Sequence, residues 1–198
     1  MASTDIRRAF GAMRSPEEDY PRWLDFGCGS GRIARHLLTA EPPRELWGVD
    51  VDEAAVAWCA RRFPGSTFRS IDASPPTPLP SSHFDVVVSG SVFTHLSEEA
   101  QSSWLSELHR LLRPGGLLIT CTHSPKLTFM RPDLTAAQHG ELANRGFLFA
   151  PGDGSFNEDS TFHSRGYLQR TWKRWFRLEL FEELGYCGFQ DLSGWKKV

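Results

Sequence analysis

The sequence has no long apolar run, no excess of charge of one sign and few cysteines. Its apolar stretches fall short of the roughly 18 residues that a membrane-spanning helix needs, and the polar start Met1–Arg8 lacks a signal-peptide core. The 22 Lys and Arg residues nearly balance the 24 Asp and Glu residues, whereas a general nucleic-acid binder is usually basic. We therefore expect no membrane span, no general binding of nucleic acid and a cytoplasmic location.

The scattered cysteines give no sign of a disulfide framework or a zinc site. They are Cys28, Cys59, Cys121 and Cys187, and no two of them form a C-x-x-C pair. The acidic stretch Asp153–Asp159 begins like a calcium loop, but Glu158 stands where the turn glycine belongs. We interpret that stretch as a turn and expect no metal site.

Short apolar runs alternate with amphipathic stretches along the 198 residues. The runs that predict strands are Trp23–Phe26, Leu46–Val49, Thr67–Ile71, Phe84–Val88 and Leu117–Cys121. Helices are predicted over Ile33–Leu38, from the N-cap Asp52 to Phe63, and after Ser97, where apolar residues keep helical spacing to Leu112. This alternation predicts an α/β fold with a mostly parallel sheet that is covered on both faces.

A glycine-rich segment joins the first predicted strand to the first predicted helix. Glycine lets the backbone turn sharply and approach a ligand closely, and a helix N-terminus behind the loop attracts negative charge. Asp50 ends the second predicted strand, where its carboxylate can accept hydrogen bonds from ribose hydroxyls. The spacing is G-x-G-x-G from Gly27 to Gly31, whereas a dinucleotide fold would have its third glycine at Arg32.

A series of motifs in this order resembles the class I S-adenosylmethionine-dependent methyltransferases. The motifs are Leu24–Arg32, Gly48–Asp52, Ile71–Ala73, Phe84–His95 and Leu108–Leu117. The resemblance implies a Rossmann-like, doubly wound, seven-stranded sheet, closed by an antiparallel C-terminal hairpin of Phe176–Leu184 and Phe189–Trp195. It also implies one domain over residues 1–198, with a helical lead-in at 1–22 and an acceptor-side lid insertion at 122–163.

The same resemblance implies S-adenosylmethionine as the methyl donor and S-adenosylhomocysteine as the product. The residues expected to bind the donor are Asp25, Phe26, Gly27, Cys28, Gly29, Gly31, Arg32, Asp50, Val51, Asp72, Ala73, Ser89, Gly90 and Ser91. Asp25 would lie near the amino group of the methionine part, Asp50 would hold the ribose diol, and Asp72 would accept from the adenine amino group. For Asp52 a helix N-cap is favoured over a cofactor contact.

The acceptor side offers three histidines as candidate general bases, because histidine titrates near neutrality. His163 and His95 are the preferred candidates, and His123 lies just beyond the fifth predicted strand. Within the insertion we predict a helix over Ala136–Arg145 and a strand over Gly146–Phe149. The segment Phe162–Asp191 loosely resembles methyltransferases encoded beside glycosyltransferases and in natural-product pathways, which implies O-methylation of a small molecule or sugar hydroxyl by direct in-line transfer.

A basic run near the C-terminus leaves a second function open. Its members are Arg165, Arg170, Lys173, Arg174 and Arg177, which would suit an RNA or N-methyltransferase. Helical spacing predicts that Leu168, Thr171, Trp172 and Trp175 face inward, which favours a solvated basic face instead. A nicotinamide-dependent reductase, a non-catalytic subunit that keeps the cofactor fold, and a homodimer also stay open.

Overall fold

The computed structural model describes residues 2–39, 43–152 and 158–198. The turn predicted at Asp153–Asp159 falls mostly on residues 153–157, which lie outside the described residues. None of the helices in the described ranges is long and apolar enough to cross a membrane.

Nine strands and six α-helices alternate along the described chain. The strands are β1 Arg22–Phe26, β2 Glu45–Asp50, β3 Thr67–Ser70, β4 Phe84–Ser89, β5 Leu112–Thr122, β6 Phe147–Ala150, β7 Ser160–His163, β8 Phe176–Tyr186 and β9 Gln190–Lys197. The helices are α1 Ala2–Met13, α2 Ala34–Leu37, α3 Glu53–Arg62, α4 Glu98–Leu111, α5 Ala136–Arg145 and α6 Arg165–Trp172, with a 3₁₀ turn at Pro125–Met130.

Seven of the strands form one sheet in the order β3-β2-β1-β4-β5-β9-β8. All neighbours pair in parallel except β9, which runs antiparallel to both β5 and β8. The predicted α/β class, the seven-stranded sheet and the antiparallel C-terminal hairpin are therefore confirmed. Strands β6 and β7 form a separate antiparallel pair.

Helices cover both faces of this sheet. Side chains alternate between the two faces along each strand, so each face has its own set of packed residues. One face packs against α4 and α6 and contains Leu24, Val87, Leu118, Trp104, Leu108, Leu168 and Trp172. The opposite face packs against α1 and α2 and contains Trp23, Val86, Val88, Ile119, Ile6, Ala9, Ala34 and Leu37. Every residue of β4 is buried, as expected for a central parallel strand with both faces covered.

Side-chain caps set the helix boundaries where the sequence predicts them. Asp52 accepts hydrogen bonds from the amides of Ala54 and Ala55 and so begins α3. Thr135 and Gln138 form a capping box at the start of α5, whose predicted bounds Ala136–Arg145 are confirmed. Ser97 likewise caps α4.

Four elements differ from the sequence prediction, namely β5, α2, β7 and α6. Strand β5 begins at Leu112 rather than Leu117, because Leu112 already pairs with Phe84 before the register shifts to Val86 and Leu117. The helix predicted over Ile33–Leu38 is a single turn, α2. The sequence prediction missed strand β7, which pairs antiparallel with β6 and is bridged to His123.

Helix α6 is shorter than the helical spacing predicts, and the prediction that Thr171 faces inward is wrong. The helix ends at Trp172, so the half-buried Trp175 lies beyond it, and Thr171 is exposed. The buried side chains are Tyr167, Leu168 and Trp172. The basic residues of this segment are exposed.

A buried carboxylate ties three strands together at the end of the sheet away from the glycine loop. Asp85, 2% exposed, accepts from the backbone amide of Arg22 at 2.8 Å. Its side chain also pairs with the guanidinium groups of Arg22 on β1 and Arg113 on β5. Arg113 continues outward to the exposed Glu18.

We expect Asp85→Ala to lower the free energy of unfolding by about 2–3 kcal/mol, because the substitution leaves the amide and guanidinium of Arg22 without their acceptor and removes the buried partner of Arg113. Glu18→Ala, the matched control, removes the solvent-facing partner of the same Arg113 and should have a much smaller effect. Chemical denaturation of the three proteins measures both. Equal destabilisation by the two substitutions would contradict this prediction.

Candidate active site

The glycine loop follows β1 at the carboxyl edge of the sheet and is held against the end of β2. The amides of Gly27 and Cys28 both donate to the carbonyl of Val49, at 2.9 and 3.0 Å. Gly27 has φ +75°, and a Cβ there would stand 2.2 Å from a methyl group of Val92. At Gly29, also with positive φ, nothing lies within 4 Å of the corresponding Cβ position. A ligand can therefore approach the backbone closely at Gly29.

Asp50 fastens this loop from the end of β2. One carboxylate oxygen accepts from the amide of Gly29 at 2.7 Å, and the other accepts from the amide of Asp52 at 3.0 Å. The side chain is 9% exposed. A carboxylate has about four lone-pair sites, so these two bonds leave acceptor capacity for a ligand.

Asp25 lies beneath the same loop and is fully buried. Its Oδ2 accepts from the amide of Ala34 at the start of α2, at 3.1 Å. Its Oδ1 has no hydrogen-bond partner among the described residues. Burial, with a smaller contribution from Asp50, raises the pKa of Asp25 from its usual 3.8 to about 7.

A cleft of about 610 Å³ opens beside the loop. The predicted donor-binding residues that line it are Phe26, Gly27, Cys28, Gly29, Arg32, Asp50, Val51, Ala73, Gly90 and Ser91. Four predicted residues do not line it: Asp25 and Ser89 are buried, Gly31 lies within the loop, and Asp72 is exposed next to Ala73. The structure therefore brings most of the predicted set to one cavity.

Several lining residues were not predicted from the sequence. They are Ser30, Asp52, Ile71, Val92, Leu96 and Trp104. Ser30, Asp52 and Ile71 lie within or next to the motifs, so their place in the chain was a usable signal. Trp104 had no such sequence signal, because its spacing on α4 indicates only a core position. It packs against Phe26, with ring centroids 4.8 Å apart, and it lines the cleft.

Of the two preferred histidines, the structure brings only His95 to the cleft. His95 follows β4, and its Nδ1 lies 2.8 Å from the carbonyl oxygen of Asp159. His163 is fully buried on β7 and bonds through Nε2 to the side chain of Gln101 on α4. Burial, with a smaller contribution from His123, lowers the pKa of His163 to about 3.

His123 occupies an intermediate position between the other two histidines. Its side chain is buried, and its ring centroid lies 6.3 Å from that of His95. Burial, followed by the nearby His95, lowers the pKa of His123 to about 4. At neutral pH this ring is therefore uncharged.

The insertion at 122–163 contacts the rim of the cleft rather than its interior. Thr161 bonds to the carbonyls of Thr94 and Leu96, on either side of His95. Of its described residues, none lines the cleft. The exposed basic residues of the C-terminal segment are also absent from the lining. In the described parts of the chain, all four cysteines are free and no cluster of metal-ligating side chains is found.

We expect Asp25 to make the unliganded protein less stable as the pH rises from about 4 to about 7. In this range the folded protein keeps a proton that the unfolded chain has released, so the free energy of unfolding falls with rising pH. A pKa that rises from 3.8 to about 7 corresponds to about 4 kcal/mol in total. Denaturant unfolding at several pH values measures the slope.

Asp25→Asn should flatten this slope, because the amide keeps an acceptor for Ala34 and does not titrate. Asp133→Asn is the matched control, since its pairing with Arg131 lowers the pKa of Asp133 to about 2, below the range tested. An Asp25→Asn variant with the same slope as wild type would count against the buried titration.

Comparison with known proteins agrees with this geometry. A methyltransferase-domain family model matches residues 24–120. A protein of Mycolicibacterium smegmatis named "Probable S-adenosylmethionine-dependent methyltransferase" is 40% identical over 106 residues, which cover 54% of this chain and 39% of that protein. A malonyl-[acyl-carrier protein] O-methyltransferase of a Paenibacillus species is 32% identical over 116 residues, covering 56% of this chain and 41% of that protein.

The fold is shared with solved structures at lower identity. A methyltransferase of Methanosarcina mazei superposes with a TM-score of 0.69 at 20% identity, covering 91% of this chain and 94% of that one. The chain spans less than half the length of the two sequence relatives above. The motifs, the sheet order and these matches together support a class I S-adenosylmethionine-dependent methyltransferase.

Proposed function

We propose that this chain binds S-adenosylmethionine in the cleft beside the glycine loop and methylates a hydroxyl group of a small molecule or sugar. The observation that carries the proposal is the lining of the 610 Å³ cleft, where the loop, the Asp50 carboxylate and the His95 imidazole meet. This volume lies within the range of about 300–1,000 Å³ that is usual for small-molecule sites.

Different residues in and beneath the cleft suit different parts of S-adenosylmethionine. Asp50 has acceptor capacity for the two ribose hydroxyls, and the exposed side of Val51 offers an apolar face for adenine. The unpartnered Oδ1 of Asp25 lies beneath the loop that would receive the methionine part. A nearby ammonium group would favour the charged form of this carboxylate and so lower its raised pKa.

When bound, S-adenosylmethionine supplies a methyl group on a positively charged sulfur. The chain then has to hold the acceptor in line with that methyl and accept a proton from it. In-line displacement would join the acceptor oxygen to the methyl carbon with loss of the carbon–sulfur bond, and His95 would take the hydroxyl proton. The products would be a methyl ether, S-adenosylhomocysteine and a protonated His95.

Two observations favour oxygen as the methylated atom. The histidine at the cleft suits an acceptor that must give up a proton to a base during methyl transfer. A hydroxyl group needs such a base, whereas a neutral amine needs it less. One relative is named an O-methyltransferase. We do not extend the proposal to RNA, because the basic residues of the C-terminal segment lie outside the cleft lining.

A cytoplasmic location is part of the same proposal. It is supported by the four free cysteines, three of which are buried. His163, which the sequence analysis placed slightly ahead of His95 as the base, is not carried into the proposal, because its ring is buried and bonded to Gln101.

Calorimetry with S-adenosylhomocysteine tests the donor site. We expect wild type to bind and Asp50→Ala to bind at least about tenfold more weakly, because the substitution removes charge-assisted hydrogen bonds and releases the loop. Glu53→Gln is the matched control: Glu53 is an exposed carboxylate in the first turn of α3 that does not line the cleft, so this variant should bind within about twofold of wild type. No binding by wild type, or undiminished binding by Asp50→Ala, would overturn the site assignment.

Methyl transfer to a panel of small hydroxylated acceptors, followed as S-adenosylhomocysteine release, tests the role of His95. We expect His95→Gln to lose about 100-fold in rate on any accepted compound while it still binds S-adenosylhomocysteine, since general bases contribute about this much. His139→Gln, an exposed histidine on α5, should leave the rate unchanged. Full activity in His95→Gln would remove His95 as the base.

A further inference from the structure

We infer that Thr161, on strand β7 of the insertion, is a positioning residue that holds His95 in a single tautomer. In this tautomer the proton is on Nδ1, and Nε2 is free to accept the proton of the acceptor. The inference rests on the proposed function for its catalytic meaning, but the tautomer itself can be measured without any substrate.

The tautomer follows from the one hydrogen bond that the imidazole makes to the insertion. Nδ1 of His95 lies 2.8 Å from the carbonyl oxygen of Asp159, and a carbonyl oxygen can only accept. Nδ1 must therefore donate. In a neutral imidazole only one nitrogen carries a proton, so Nε2 carries a lone pair. Among the described residues, Nε2 has no partner that would compete for it.

Thr161 makes one hydrogen bond to the residue before His95 and one to the residue after it. The Thr161 amide donates to the carbonyl of Thr94 at 2.8 Å. Its Oγ1 donates to the carbonyl of Leu96, also at 2.8 Å. Thr161 is fully buried and stands two residues after Asp159, so fixing Thr161 against this segment also fixes the Asp159 carbonyl.

The rest of β7 is anchored in the protein interior, so the clamp does not depend on a loop alone. Phe162 is fully buried and bridges to His123 at the end of β5. The amide of His163 donates to the carbonyl of His123 at 2.8 Å, and its imidazole bonds to Gln101. The buried contacts of Phe162 and His163 thus hold Thr161 in place, as precise positioning of a catalytic group requires.

The histidine side chain and its support come from different parts of the chain. His95 belongs to the segment after β4, whereas the group that fixes its tautomer comes from the insertion. The insertion therefore prepares the base for reaction, in addition to any part that it takes in choosing the acceptor.

Nitrogen-15 NMR of the uniformly labelled 198-residue chain at pH 8 tests this inference directly. Long-range proton–nitrogen correlations distinguish a protonated from an unprotonated ring nitrogen, and His95→Gln assigns the His95 signals. We expect a single tautomer with the proton on Nδ1 in wild type. A proton on Nε2, or an exchanging mixture of tautomers, would overturn the inference without any further variant.

Substitutions of Thr161 then test its role in positioning. Thr161→Val keeps the shape and the amide but removes the hydroxyl, and should replace the single tautomer of His95 by a mixture. Thr161→Ser restores a hydroxyl and should restore the wild-type spectrum. Thr171→Val is the matched control, because the hydroxyl of this exposed threonine bonds, within the described ranges, only to the carbonyl of Tyr167 on its own helix.

The outcomes separate this inference from the proposed function. A Thr161→Val protein that is less stable but keeps the single His95 tautomer would overturn the positioning role, and Thr161→Ala repeats the test if the valine variant does not fold. Binding of S-adenosylhomocysteine should stay within about twofold in all Thr161 variants, because Thr161 does not line the cleft. Failure of wild type to bind it would refute the proposed function and leave the tautomer result standing.

Discussion

The bond between the Asp50 carboxylate and the amide of Gly29 is the contact on which the cleft depends. It connects the end of β2 to the glycine loop after β1, and the loop amides that donate to Val49 complete the attachment. Positive φ at Gly27 and Gly29 lets the chain turn there without strain. Because Asp50 holds the loop and also faces the cleft, one side chain both shapes the site and can bind in it.

Strand β4 is the second constraint, because it connects the donor side to the acceptor side. All of its residues are buried, so its position follows from the packing of both faces of the sheet. The chain after it passes Gly90 and Ser91 at the cleft and then reaches His95. There it meets β7 of the insertion, through bonds between Thr161 and the carbonyls on either side of His95. Packing of the sheet thus controls where the candidate base stands.

The buried polar groups fall into two sets, one beneath the glycine loop and one behind the rim of the cleft near His95. Asp25 lies under the glycine loop with one oxygen unpartnered among the described residues, and its burial raises its pKa to about 7. His163 and His123 lie behind the rim, and burial lowers the pKa of each. These shifts share their largest cause, since an apolar interior disfavours the charged form of an acid and of a base alike.

Local chemistry in the sequence determined the α/β class, most strand positions and the caps of α3, α4 and α5, because periodicity and capping act over a few residues. It also placed the glycine loop and Asp50 together, since both follow strands of one parallel sheet. Tertiary structure alone decided which histidine reaches the cleft: β7 turns His163 into the interior against Gln101, and the segment after β4 brings His95 outward. Contacts between residues 60 or more positions apart made that choice, and no local pattern records them.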